Sequence, residues 1–454
     1  MARNDTAEGA PAGRGQWGTR AGFILAAAGS AVGLGNVWKF PYVAGDNGGA
    51  VFLVVYLAIV FTVGVSVMLA EFVIGRAGER NPVGAFRRLG GGAWPTAGYI
   101  GVAAGIIILS FYSVVAGWTL AYVVKSATGL LAAPDAASYG ARFAAFSSEP
   151  VEPLLWHALF MAFTVAIVLR GVKRGIEFSC VVLLPMLFVL LAVLAVRAVT
   201  LPGAVSGVEF YLAPDFSKLT PGIVLAALGQ AFFSLSLGMG AMITYGSYLP
   251  HRVNLPGSVL WITGFDTLAA FVAGLVVLPA VFAFSLDPAA GPGLVFITLP
   301  AVFAQMPAGE VFAVLFFVLL AIAALTSSVS LLEVGVAYFV DERGMPRRTA
   351  AITLGAICFL LGIPASLSQG DWKDVTLFGM GILDLMDYAA SNVMLPLGAI
   401  AIVAFVGWRM GGRALAEASG NGAHPFAWAG AWRFVCRYVA PIAVAWILIG
   451  GLGL

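Results

Sequence analysis

The sequence predicts an all-α polytopic membrane protein: eleven transmembrane helices, a five-plus-five inverted repeat, and breaks in helices 1 and 6. Three observations carry this. The chain of 454 residues is 61% hydrophobic and 10% charged, with mean hydropathy +0.97, whereas a soluble domain is about 25% charged. Apolar stretches long enough to cross a bilayer recur along it. Two of these stretches, five segments apart, carry glycines and polar residues in mid-run. A helix in lipid leaves backbone groups open only where protein or an internal cavity receives them.

Residues 1–16 are polar, rich in small residues and without a leader-like cleavage signal, so they read as an uncleaved cytoplasmic tail. Segment 1 covers about 18–44 and is interrupted near 32–36, in Gly29-Ser30-Ala31-Val32-Gly33-Leu34-Gly35-Asn36-Val37-Trp38-Lys39-Phe40-Pro41-Tyr42. Glycine weakens a helix interior and Pro41 removes a donor. Two readings fit: opened backbone that binds something, or a kinked helix whose small residues serve close packing. Segment 2, about 50–77, contains Glu71, read as the acceptor of a structural hydrogen bond. Arg76, Arg80, Arg87 and Arg88 mark a cytoplasmic connection. Segment 3, about 96–127, carries Ile108, Tyr112 and Trp118, and 130–153 is a polar outer loop. Segment 4, about 154–170, ends in Arg170, Lys173 and Arg174 inside; segment 5, about 177–197, closes a first repeat spanning 17–198.

An outer loop over 199–221 leads to segment 6, about 222–248, with Gln230-Ala231-Phe232-Phe233-Ser234-Leu235-Ser236-Leu237-Gly238-Met239-Gly240 as the second break. Segment 7, about 257–284, carries Asp266; the proline-rich 287–307 reads as an outer loop with a short re-entrant helix. Segment 8, about 309–340, is too long to cross without tilt or protrusion. Segments 9 (about 347–364) and 10 (about 380–407) complete a second repeat over 222–407; 408–454 holds a cytoplasmic loop and segment 11, about 426–453. The Lys/Arg bias of the short loops puts the N terminus inside and the C terminus outside. An odd repeat of five inverts the second half, an arrangement of secondary transporters. Cys180, Cys358 and Cys436 show no metal spacing, His157, His251 and His424 are scattered, and no nucleophile–base set appears, so an enzyme is not expected.

The run Gly33-Leu34-Gly35-Asn36-Val37-Trp38-Lys39-Phe40-Pro41-Tyr42 resembles the signature of the neurotransmitter:sodium symporter family. The segment-6 block, Ala323-Ala324-Leu325-Thr326-Ser327-Ser328 and the Asp384–Asp387 pair resemble it too, over roughly 14–407. The chain is most similar to short bacterial members with eleven helices that carry hydrophobic amino acids; most members have a twelfth.

The resemblance implies a central site between segments 1, 3, 6 and 8. A substrate carboxylate would meet amides near Leu34 and Gly35 and the Tyr112 hydroxyl; opened amides at a helix end attract an anion. The ammonium would meet carbonyls near Ser30, Ala31, Phe233 and Ser236. Ser30, Ile108, Phe233, Ser236, Met239, Ser327 and Leu331 would line the side-chain pocket, with Ser234 beside it. Ser30 stands where monoamine carriers place an acid, so leucine, isoleucine, tyrosine, phenylalanine and tryptophan all remain open; Ser236 and Met239 also suit plain packing.

Two Na⁺ sites are implied. The first would use Ala31, Asn36, Ser234, Asp266 and the substrate carboxylate, and the second Gly29, Val32, Ala323, Thr326 and Ser327. Tyr56, Gln230 and Ser234 match a chloride cage, but Asp266 stands where Asn is usual, so its charge replaces chloride and no chloride requirement is expected. The rival reading is that Asp266 only ligates Na⁺ and chloride binds as well. Lys39 and Asp387, with Tyr112 and Phe233 as lid, would form the outer gate; Arg14 and Asp341, with Trp17 and Tyr248, the inner one. Gly175 and Pro185 match a motif for unwinding the inner end of segment 5, although Pro185 also suits a simple kink.

The expected function is sodium-coupled uptake of hydrophobic L-amino acids by alternating access, across a bacterial cytoplasmic (inner) membrane. The expected partners are the amino acid, Na⁺ and the lipid bilayer, with no nucleic acid. The rivals are a channel, which needs a continuous path, and a nontransporting amino-acid sensor.

Overall fold

A computed structural model of the chain describes residues 15–131, 137–286 and 293–451. The first run of helix, α1 (Arg20–Ala31), stops where Val32 turns to an extended conformation, and α2 (Gly35–Asp46) resumes at 49° to it. Thr19 caps α1 by accepting the Gly22 amide at 2.9 Å. α3 (Ala50–Gly78) follows, and the short α4 (Pro82–Leu89) starts at an Asn81 cap. α5 (Pro95–Ala127) and α14 (Gly309–Arg343) pack along one another at the centre. Between them the chain forms α6 (Ala137–Ser148), α7 (Glu152–Leu169), α8 (Val172–Val199) and α9 (Val205–Leu212). α10 (Pro221–Ser234), α11 (Ala241–Gly246), α12 (Leu255–Ala283) and α13 (Leu294–Ala304) lead to α14. α15 (Arg347–Leu367), α16 (Ile382–Met410), α17 (Gly412–Ala418) and α18 (Ala429–Gly451) complete the described chain.

Nine of these helices, among the described residues, are long and apolar enough to cross a membrane, and the bent α1–α2 pair makes up to ten. Burial sorts them: 78% of the apolar window of α5 is enclosed, against 28% in α8 and 22% in α18. The outer helices turn Phe163, Val182, Val189, Leu360 and Ile442 outward, which suits lipid tails rather than water. Three stretches expected as plain connections hold α4, α6 and α9. Each is a short helix whose apolar residues (Phe86, Phe146, Tyr211) dock on the bundle. Within 287–307, the expected short helix is α13.

Residues 235–240, between α10 and α11, are not helical. Ser236, Gly238 and Gly240 take positive φ of 54°, 84° and 76°. A Cβ on Gly238 would run into the Leu395 carbonyl, so only glycine fits there. The Glu71 carboxylate accepts the Gly238 amide at 2.8 Å, the structural hydrogen bond expected of it. Buried Arg76 pairs with Glu417 at 2.6 Å and donates to the Val253 carbonyl, tying α3 to α17.

Candidate functional site

The interruption in α1–α2 frees backbone groups, and other helices receive them. A continuous helix would send the Leu34 amide to Ser30; instead it donates to the Tyr112 hydroxyl on α5 at 3.1 Å. The Gly33 amide, due to Gly29, goes to Asn36 Oδ1 at 3.1 Å. The released Ser30 carbonyl accepts the hydroxyls of Ser236 at 2.9 Å and Ser327 at 3.1 Å. Ser30 itself donates to Ser330 Oγ at 2.6 Å, a partner that no sequence signal points to. Ser236 bears a left-handed backbone that costs an L-residue about 1–3 kcal/mol; its bond across to α1 holds it there.

A polar cluster sits beside this junction, built on Asp266 of α12. Asn36 Nδ2 donates to Asp266 Oδ1 at 2.8 Å, to the Asp266 carbonyl at 3.0 Å and to Ser234 Oγ at 2.9 Å. Ser234 donates to Asp266 Oδ2 at 2.9 Å and accepts the Tyr56 hydroxyl at 3.2 Å. Gln230 Nε2 donates to the Gly35 carbonyl at 2.7 Å, while its buried Oε1 has no partner. Asp266 is fully buried and, among the described residues, pairs with no Lys or Arg. A buried carboxylate met by one amide and one hydroxyl donor, with no cationic side chain among the described residues, suits a hard monovalent cation.

On the other side of the break, Thr326 Oγ1 donates to the carbonyls of Val32 at 3.4 Å and Ala323 at 3.1 Å. Gly29 lies alongside: a Cβ there would come within 3.4 Å of Thr326 Cβ and 3.3 Å of Cys180 Sγ. The structure thus gathers Gly29, Val32, Ala323 and Thr326. The fifth expected member, Ser327, turns its hydroxyl to Ser30 instead.

Between the two clusters lies a cavity of about 30 Å³. Ile108, Phe233, Met239 and Leu331 make its apolar wall; Ala31, Gly33, Gly35, Tyr112, Ser236 and Ser327 supply its polar edge. Gly33 was not anticipated: a Cβ there would come 3.1 Å from the Tyr112 hydroxyl. Among the described residues, no charged side chain lines this space.

The gate residues are arranged unequally. Lys39 Nζ stands 4.3 Å above the Phe233 ring. Asp387 is near enough to act on it electrostatically, but no ion pair within 4.0 Å joins them, and Asp387 accepts the Ser391 hydroxyl at 2.7 Å. A lysine lacks the planar fork that would hold ring and carboxylate together. At the opposite end, Trp17 Nε1 donates to the Tyr245 carbonyl at 3.0 Å, and its ring meets Tyr245 and Tyr248. Tyr248 donates to Glu333, which pairs with Arg347 at 2.5 Å. Asp341 accepts the Asn81 amide at 2.8 Å; its expected partner Arg14 lies outside the described residues. Gly175 sits in a wide turn over Val172–Glu177, and Pro185 lies within the helix that follows. Sequence reasoning missed Glu177, whose carboxylate accepts the Gly18 amide at 2.6 Å, the Thr19 amide at 3.1 Å and the Thr19 hydroxyl at 3.0 Å.

Comparison with known proteins agrees with this geometry. The chain is 42% identical over 441 residues to the uncharacterized sodium-dependent transporter YhdH of Bacillus subtilis (strain 168), covering 97% of this chain and 98% of that one. It is 37% identical over 449 residues to an uncharacterized sodium-dependent transporter of Haemophilus influenzae, covering 96% and 98%. The crystal structure of MhsT in complex with L-phenylalanine superposes with a TM-score of 0.89 at 49% identity, covering 97% of this chain and 100% of that one. Residues 14–138 and 149–452 match the sodium:neurotransmitter symporter family, a family of sodium-coupled membrane transporters and not of enzymes, and the chain belongs to it.

Proposed function

We propose that this protein carries hydrophobic L-amino acids into the cell together with Na⁺, by alternating access. One observation supports this most: a cavity with an apolar wall is linked to the buried Asp266 cluster through Asn36, which donates to Asp266 and accepts the amide of Gly33, a residue that lines the cavity. The amides of Leu34 and Gly35 and the Tyr112 hydroxyl would take the substrate carboxylate. The carbonyls of Ser30, Ala31, Phe233 and Ser236 would take the ammonium. Ile108, Phe233, Met239, Ser327 and Leu331 would then enclose the side chain. The solved relative holds L-phenylalanine, which favours aromatic and large aliphatic amino acids here.

Two sodium ions would accompany it, one on Ala31, Asn36, Ser234 and Asp266, the other on Gly29, Val32, Ala323, Thr326 and Ser327. In the first site the substrate carboxylate completes the shell. Ion and substrate therefore strengthen each other's binding reciprocally. Asp266 supplies the negative charge that chloride would otherwise bring, so chloride is not required. Lys39, Asp387, Tyr112 and Phe233 close the outer side; Trp17, Tyr248, Asp341 and Arg14 close the inner side; the Gly175–Pro185 stretch unwinds to let water reach the second sodium.

α10 and α11 form the second broken crossing, giving eleven in two inverted repeats, with the N terminus in the cytoplasm and the C terminus outside a bacterial inner membrane. The membrane potential adds roughly 2.3 kcal/mol per charge per 100 mV to net cation entry.

Equilibrium binding of labelled L-phenylalanine to the purified chain tests this, at rising Na⁺ and with unlabelled competitors. The expected result is affinity that climbs with Na⁺ but not K⁺, with leucine, tyrosine and tryptophan competing and glutamate failing. Binding that ignores Na⁺ would overturn the shared-ligand account. No binding of any apolar amino acid would overturn the substrate class.

A further inference from the structure

The last turn of α1 is held from the side by α14, through a serine outside the proposed binding set. Ser30 donates its hydroxyl hydrogen to Ser330 Oγ at 2.6 Å, and Ser330 donates its own to the Ser327 carbonyl at 2.8 Å. Ser327 and Ser330 lie about one turn apart on one face of α14. Ser30 and Ser330 are both buried. A hydroxyl carries a single hydrogen, so the direction of the chain is fixed. Ser330 uses its hydrogen within its own helix, and only its lone pairs are left for Ser30.

The same rule sets the polarity of the cavity edge. The Ser30 carbonyl accepts the hydroxyls of Ser236 at 2.9 Å and Ser327 at 3.1 Å. Ser236 and Ser327 line the central cavity, whereas Ser30 and Ser330 are not among the residues that do. Both lining serines have therefore turned their hydrogens toward Ser30, and they present oxygen lone pairs to a guest. An edge of acceptors suits an ammonium group, which only donates. α1 ends at Ala31 and the Leu34 amide goes to Tyr112, so that amide does not hold the Ser30 carbonyl. Beyond its own helix, and apart from the two hydroxyls it orients, the tie on Ser30 among the described residues is the bond to Ser330.

We propose that Ser330 is a positioning residue for amino-acid binding, a role that rests on the transport proposed above. It anchors Ser30, and through the Ser30 carbonyl it keeps the Ser236 and Ser327 oxygens turned toward the substrate ammonium. The direction of the bonds makes the two partners unequal. Ser330→Ala takes the acceptor away from a buried donor, which must turn to find another. Ser30→Ala leaves Ser330 still bonded to the Ser327 carbonyl. An unpaired buried group is costly, whereas removing both partners is nearly neutral. Ser30→Ala added to Ser330→Ala should therefore restore much of what Ser330→Ala loses.

The test is equilibrium binding of labelled L-phenylalanine at saturating Na⁺ to the full chain in detergent, with melting temperatures measured alongside. The expected affinity is about tenfold weaker in Ser330→Ala, about threefold weaker in Ser30→Ala, and in the double variant close to that of Ser30→Ala. Equal losses in the two single variants that add in the double would overturn the proposal. So would a lowered melting temperature with L-phenylalanine affinity unchanged, the mark of a serine that only supports the fold. If Ser330→Ala does not fold, the double variant decides against Ser30→Ala: matching affinities support the proposal, and a further tenfold loss overturns it. Absence of binding in the parent chain would be the failure of the transport reading, and would remove this role with it.

Discussion

Asp266 is the residue on which the proposed sodium site is built. It is fully buried, holds hydrogen bonds from Asn36 and Ser234, and faces no cationic side chain among the described residues. A hydrogen bond to a charged group is worth about 1.5–3 kcal/mol, or about 10–150-fold. Asp266→Asn is expected to weaken Na⁺-dependent uptake by that factor in gluconate buffer, and added chloride should restore part of it. Uptake of the parent in gluconate and chloride should match. A second residue-scale test is Tyr112→Phe. It leaves the Leu34 amide without its acceptor and removes a donor from the cavity edge, so substrate affinity should fall about tenfold with stability nearly kept. Asn36 was legible from the glycine-rich break around it, whereas Asp266 and Tyr112 were named only because the family resemblance implies them. Gly33 as cavity lining, Ser330 and Glu177 were not legible, since each acts on a partner far along the chain.

The element that carries the account is the broken α1–α2 pair, and its break was readable from three glycines followed by Asn36 and Pro41. Glycine and proline signal where a helix opens, whatever it packs against. Other features of element scale were hidden. α4, α6 and α9 are short, and polar residues around them read as loop; only the bundle surface supplies what makes them helices. The contact between α1 and α8 was hidden too. Glu177 holds the Gly18 and Thr19 amides at the start of α1, and Cys180, one turn on, is buried against Gly29. Glu177→Gln keeps the shape but removes the charge from these bonds. In a chain with Cys358 and Cys436 replaced by alanine, this variant should let a water-soluble maleimide reach Cys180 about ten times faster, and Na⁺ should slow that labelling. Equal rates in parent and variant would show that Glu177 does not restrain the inner half of α1.

At the scale of the whole molecule, lipid-facing helices surround a polar centre that other helices must satisfy. Composition and loop charge announce the membrane class. The meeting of α1–α2 with the 235–240 stretch depends on both halves of the chain folding together, so spacing alone does not show it. Ion binding at that centre should stabilise the entire bundle. A ligand at 100 times its Kd adds about 2.7 kcal/mol to the bound state, so the melting temperature should rise with Na⁺ and not with K⁺, followed by the fluorescence of its 11 tryptophans. The central claim is that the sodium gradient drives amino-acid accumulation. The direct measurement is uptake of labelled L-phenylalanine into proteoliposomes, with and without an inward Na⁺ gradient at matched chloride. The account predicts accumulation above the external concentration only with the gradient, abolished when the gradient is collapsed. Equal uptake in both conditions, with the protein folded and inserted, would contradict it.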